Sequence, residues 1–127
     1  MNQQGRNNRQ DTDRGDQGGA MREPFHPHQD DFRLTDIFHA LSDPIRLQIV
    51  QALADGGEES CSVFNYPLTK GTLSHHFKVL REAGLTHTRI EGRQRYITLR
   101  REELDRRFPG LLQIVITGEA RVVRNGD

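Results

Sequence analysis

Residues 69–85, TKGTLSHHFKVLREAGL, constrain the fold more than any other stretch of the chain. Thr69 offers a hydroxyl to the first free amides of a helix, and Gly84 tolerates the left-handed backbone that ends one. At about 100° per residue, Leu73, Phe77 and Leu80 share one face, while Gly71, His75, Lys78 and Glu82 lie opposite. One side of this helix packs and the other remains available to touch something. Residues 85–90 and 94–99 then read as two short strands, rich in Thr, Ile and Tyr, joined through Glu91-Gly92-Arg93. The turn of this hairpin is basic, with Arg89, Arg93 and Arg95.

Upstream, Phe32, Leu34, Ile37, Phe38 and Leu41 fall near helical spacing, and Ser42-Asp43-Pro44 supplies a cap followed by proline at a first helical position. A second helix is expected from Pro44 to about Ala54, with Ile45, Ile49 and Leu53 on one face, ended by Asp55-Gly56-Gly57. Residues 58–68 are the least legible, a short helix or a turn. Residues 101–107 predict another short helix, broken at Phe108-Pro109-Gly110. Pro109 can open a last helix in which Leu111, Leu112, Ile114, Val115 and Ile116 are apolar on more than one side. So short and apolar a helix needs a covering surface, and a second copy of the chain is the economical one.

The sequence has 127 residues, 33% hydrophobic and 28% charged, enough for one small domain. Residues 1–31 are rich in Gln, Asn, Asp, Arg and Gly and cannot offset the entropy of ordering, so a disordered polar tail is expected there. Residues 32–117 form the expected domain, and 118–127 a flexible C-terminal tail. No apolar run approaches the roughly 18 residues of a membrane span, and the expected location is the cytoplasm, on the nucleoid. The formal charge is zero, but the balance is uneven. Residues 1–31 carry four Arg against six acidic residues, whereas residues 69–107 carry ten Lys plus Arg against five. A basic half is what a polyanion needs.

Helix, helix, short connection, capped helix and basic hairpin is the order of a winged helix-turn-helix, mostly α with a small β-hairpin. Its physics suits duplex DNA: a helix enters the major groove and the flanking hairpin reaches phosphates or the minor groove. Lys70, Thr72, Ser74, His75 and Lys78 are the groove candidates, with Arg89, Arg93 and Arg95 in the wing; Arg89 and Arg95 have the alternative of pairing with Glu91 across the hairpin.

The stretches ALSDPIRLQIVQAL, TKGTLSHHFKVLREAGL and TRIEGRQRYITL resemble the ArsR/SmtB family of winged-helix transcriptional repressors, over about residues 34–104. The resemblance implies a homodimer on an imperfectly palindromic promoter site, with release of DNA when an effector binds. It also implies a dimer interface made by the first and last helices, here Ile37 and Phe38 with Leu111, Leu112 and Val115. Well-known members hold metals through a CxC before the recognition helix, or through Asp, His and Glu on the last helix. This chain has only Cys61 and no histidine after His87, so neither site can be assembled. The remaining metal reading joins Cys61 to His26 and His28, two of which stand in the polar tail where ordering opposes binding. No metal or other cofactor is expected, and the effector is unknown.

The adjacent His75 and His76 point about 100° apart and cannot chelate one ion well. His76 leans toward the apolar face as a packing and hydrogen-bonding residue, while His75 faces the groove side. Cys61 reads as a small, partly buried hydrophobe. No phosphate loop, nucleophile elbow or HExxH occurs, so no enzyme is expected. The expected function is a dimeric, sequence-specific DNA-binding regulator, a repressor by resemblance. The alternatives are a winged-helix interaction module whose DNA binding depends on a partner protein, and a metal sensor with unfamiliar ligands.

Overall fold

The computed structural model describes residues 24–64 and 66–118. Its elements, in chain order, are α1 (Leu34–Leu41), α2 (Pro44–Gly56), β1 (Glu59–Ser60), α3 (Lys70–Ala83), β2 (Thr86–Glu91), β3 (Gln94–Leu99), α4 (Arg101–Arg107) and α5 (Leu111–Thr117). The strands form one antiparallel sheet in the order β1-β3-β2. This is a winged helix-turn-helix, with five α-helices around a small sheet among the described residues.

The punctuation read from the sequence is used as expected. The Asp43 carboxylate accepts from the Ile45 and Arg46 amides at 2.8 and 3.2 Å, with Pro44 in the first turn of α2. Thr69 Oγ1 accepts from the Thr72 amide at 3.1 Å, and Gly84, at φ 99°, lets the Leu85 amide reach back to the Leu80 carbonyl at 3.0 Å. A side chain at Gly84 would also run into the Phe32 ring, so glycine serves both the turn and the packing there.

The core gathers Ile37 and Ala40 of α1, Ile49, Val50 and Leu53 of α2, Leu80 of α3, Ile97 of β3, Leu104 of α4 and Leu112 of α5. It shows that α3 packs on His76, Leu80 and Ala83, while Leu73 and Phe77, expected in the middle of its apolar face, are only half-buried.

Three departures have physical reasons. Residues 58–68 hold a two-residue strand, Glu59 and Ser60 opposite Ile97 and Tyr96, followed by a 3-10 turn at Cys61–Val63. Too short to show periodicity, this strand is set by the edge of β3. The last helix starts at Leu111 rather than Pro109, because Gly110 takes a left-handed φ of 89°. The tail expected over residues 1–31 does not extend through its last eight residues. Residues 24–31 run across α3, β2 and α4, with Pro24 and Pro27 buried and a 3-10 turn at Gln29–Asp31. The rest of that tail, and residues 119–127, lie outside the described residues.

Arginines hold this strap. Arg81 Nε donates to the Phe25 carbonyl at 3.0 Å, Arg100 Nη1 to Pro27 at 2.8 Å, and Arg107 to Gln29 and Phe32 at 2.9 and 2.7 Å. The His26 ring stacks on His87 with centroids 4.1 Å apart, and its Nε2 accepts from the Thr88 amide at 2.9 Å.

Candidate nucleic-acid interface

The surface that could meet DNA is built on α3. Of the residues singled out on its outer side, Lys70, Thr72, Ser74, His75 and Lys78 are all exposed. They occupy the first three turns, where a helix lying in a groove presents side chains to bases and phosphates. The Thr72 hydroxyl accepts from Thr69 Oγ1 at 2.9 Å, which fixes its oxygen and leaves its proton available to an acceptor outside. Thr69 spends its own oxygen on the helix cap.

What orients this face lies beneath it. His76 is buried at 8% exposure, and its Nδ1 stands 3.1 Å from Arg46 Nη1. Because a guanidinium only donates, Nδ1 accepts and the ring proton sits on Nε2. Burial lowers the His76 pKa, Arg46 and His75 add to that, and Asp43 opposes it. Arg46, itself buried, also donates to the carbonyls of Ala40 at 2.7 Å and His39 at 3.3 Å. It therefore joins the last turn of α1 to α3 and fixes the angle at which the outer face is presented. Sequence reasoning did not assign Arg46 this role. The only trace was a charged residue among the apolar positions of ALSDPIRLQIV.

The two neighbouring histidines thus divide as the helical phase implies. Their ring centroids are 6.2 Å apart and the planes tilt by 50°, with His75 outside and His76 inside. Among the described residues no three His, Cys, Asp or Glu gather to hold a metal ion. The ion site considered for Cys61, His26 and His28 is not formed, because His26 is stacked on His87 and His28 accepts from the Asp30 amide at 3.1 Å.

The wing divides less evenly. Arg93 and Arg95 are exposed and make no ion pair among the described residues. Arg89 is engaged: it forks onto Glu58 at 3.0 and 3.1 Å, reaches Glu91 at 2.6 Å, and lies over the Tyr96 ring at 4.6 Å. Its carboxylate partners raise its pKa, and it in turn lowers that of Glu58. Of the two arginines considered for pairing with Glu91, it is Arg89 that does so. Gly92, at φ 64°, makes the tight turn that carries Arg93 outward. One concave surface is lined by Lys70 and Ser74 of α3 together with Arg93 and Arg95 of the wing.

That juxtaposition, a capped exposed helix beside a basic hairpin, agrees with what known proteins resemble the chain. A helix-turn-helix domain family matches residues 41–89. An uncharacterized HTH-type transcriptional regulator, YceK of Bacillus subtilis (strain 168), is 44% identical over 87 residues, spanning 66% of this chain and 87% of the relative. Another relative is the arsenical resistance operon repressor of Staphylococcus xylosus, 37% identical over 73 residues, 57% of this chain and 70% of that one. The chain belongs to the ArsR/SmtB family of winged helix-turn-helix transcriptional regulators. Among solved structures, a possible transcriptional regulator for arsenical resistance superposes with a TM-score of 0.52 at 28% identity, over 72% of this chain and 96% of the other.

Membership makes this ArsR/SmtB chain a DNA-binding regulator, and no described helix is long and apolar enough to cross a membrane. The interface residues implied by the family sort differently in the protomer. Ile37, Leu112 and Val115 are buried at 0%, 2% and 8% exposure, so they belong to its own core. Phe38 is open at 54% and Leu111 is half-buried, and the sequence reading did not select Leu34 and Ile114, open at 42% and 68%. Helical phase alone does not separate the two groups: apolar residues line both sides of α1 and α5, and packing decides which side is inside.

Proposed function

We propose that this chain is a sequence-specific transcriptional repressor that binds a palindromic promoter site as a homodimer. The observation that carries the reading is the single concave surface shared by Lys70 and Ser74 of the recognition helix and Arg93 and Arg95 of the wing. In this reading α3 lies in the major groove. Thr72, Ser74 and His75 meet base edges, Lys70 and Lys78 meet phosphates, and the wing arginines clamp the backbone beside the groove. Two copies join through the exposed apolar side chains of α1 and α5, Leu34 and Phe38 with Ile114 and Leu111. Each copy then reads one half-site.

Fluorescence anisotropy on a promoter fragment selected by the protein, at several salt concentrations, tests the assignment of the surface. Lys70→Ala and Arg93→Ala are each expected to weaken binding to all sequences and to flatten the slope of log affinity against log salt by about one. His75→Ala and Thr72→Ala are expected to relax the choice among bases. Arg89→Ala is expected to leave the salt slope unchanged, since Glu58 and Glu91 already neutralise that guanidinium. Wild-type affinity and slope in both Lys70→Ala and Arg93→Ala would overturn the placement of the interface.

A further inference from the structure

The concavity between α3 and the wing is larger than phosphate contact requires. It offers about 780 Å³, and part of its lining is apolar, which phosphates have no use for. That volume lies within the roughly 300–1,000 Å³ range of small-molecule sites. One end of its lining is apolar and aromatic: buried Phe64 and half-buried Phe77 meet edge to face at 5.7 Å, and half-buried Leu73 and Tyr66 also line the cleft. The charged residues lining it are Lys70, Arg81, Arg93 and Arg95, and among the described residues that line it there is no carboxylate. Arg81 is already bonded to the Phe25 carbonyl, whereas Lys70, Arg93 and Arg95 have no counter-ion among the described residues.

A phosphodiester would use the cationic rim and leave the aromatic end unfilled. A neutral apolar ligand would fill that end and leave the cations uncompensated. A compact molecule with a flat apolar body and one anionic group satisfies both. Leu73, Phe77 and the Phe64 edge would bury its ring, and Arg93, Arg95 or Lys70 would pair with its charge. The Ser62 and Ser74 hydroxyls and the Gln94 amide, on the same lining, supply further donors. Burial raises the Tyr66 phenol, so it remains a donor at neutral pH.

We propose that the cleft between the recognition helix and the wing binds a small aromatic carboxylate, and that this ligand and DNA exclude one another. Exclusion follows because Lys70, Ser74, Arg93 and Arg95 serve both partners. The occupied cleft withdraws the cations that would hold phosphates, and the bound duplex covers the mouth. The second half of the proposal rests on the DNA-binding reading above; the first half does not.

The test titrates the full chain, without DNA, with 1-naphthoate in a calorimeter. Saturable binding of one naphthoate per chain is expected, with neutral 1-naphthalenemethanol at least about tenfold weaker, a difference of about 1.4 kcal/mol. Leu68, which lines the cleft without contributing a charge to it, gives the variants. Leu68→Glu sets a carboxylate beside the incoming anion and is expected to weaken naphthoate at least about tenfold, while Leu68→Gln, of similar size, retains most of the affinity. Absence of saturable binding, equal binding of the neutral analogue, or equal loss in the two variants overturns the site. On the selected DNA fragment, naphthoate is expected to raise the apparent dissociation constant in proportion to its concentration. Simultaneous binding without mutual effect overturns the exclusion. Naphthoate binding in a chain that binds no DNA at any salt upholds the site and refutes the DNA reading, whereas DNA binding without naphthoate binding refutes the site alone.

Discussion

Arg46 shows how much the presentation of α3 depends on a side chain that touches no partner. Its guanidinium bonds to His76 and to two carbonyls at the end of α1. Arg46→Met keeps the volume of the stem and removes every donor, leaving two carbonyls and an imidazole nitrogen without their partner. The expected loss is about 3 kcal/mol in urea unfolding at neutral pH, and a loss below about 1 kcal/mol would show that water replaces the guanidinium. The division between His75 and His76 was legible in the sequence, because the helical period assigns adjacent residues to different directions. The role of Arg46 was not, because a charged residue among apolar positions reads equally as a solvated edge until its partners, distant in sequence, are known.

The strap of residues 24–31 is a second case in which distant partners decide. Its composition pointed to disorder, and only Phe25 and the prolines at 24 and 27 hinted otherwise. Carbonyl-to-arginine bonds from α3 and α4 and the His26 stack supply what composition lacks. Burial, with the charges of His87, Arg81 and Arg100 adding to it and Glu103 opposing, lowers the His26 pKa to about 4. Only neutral His26 can accept from the Thr88 amide. With its folded pKa below the ordinary histidine value of about 6.5, the undocked strap takes up the proton first. The contribution of His26 to docking is therefore complete above about pH 6.5 and is progressively lost as pH falls toward 4. The protection of the Thr88 amide, its exchange rate relative to the intrinsic rate at the same pH, is expected to fall over that interval, and His26→Phe, which keeps the stack but cannot titrate, is expected to abolish the pH dependence. Protection unchanged from pH 7 to pH 4 in the wild type would contradict this account. Residues 58–68 were illegible for a related reason: a two-residue strand has no period of its own.

The charge of the molecule also reads differently once folded. The basic surplus of residues 69–107 looked like a polyanion-binding field, yet Arg81, Arg89, Arg100 and Arg107 are spent inside the protomer on carbonyls and carboxylates. Arg101 and Arg106 are hydrogen-bonded to the Ala54 carbonyl and the Gln29 side chain, whereas Lys70, Arg93 and Arg95, with neither an ion pair nor a side-chain hydrogen bond among the described residues, line one cleft. Fold class, wing and the limits of α2 and α3 were legible because caps, glycines and periods are local. Which side of α1 and α5 enters the core was not, because both helices are apolar on two sides. If Phe38 and Ile114 join the two copies, the pair Phe38→Glu and Ile114→Glu yields monomers in analytical ultracentrifugation. Such monomers are expected to lose at least about a hundredfold in affinity for a two-half-site fragment, since the second half-site no longer binds at high effective concentration. A dimer that survives both changes would move the interface elsewhere. The most direct test of DNA reading through α3 and the wing is footprinting of the purified chain on the genomic fragment it enriches most. Two protected half-sites with centres about one helical turn apart are predicted, lost together in Lys70→Ala with His75→Ala. Failure to enrich any fragment over bulk DNA at low salt, or a footprint indifferent to those two substitutions, would contradict it.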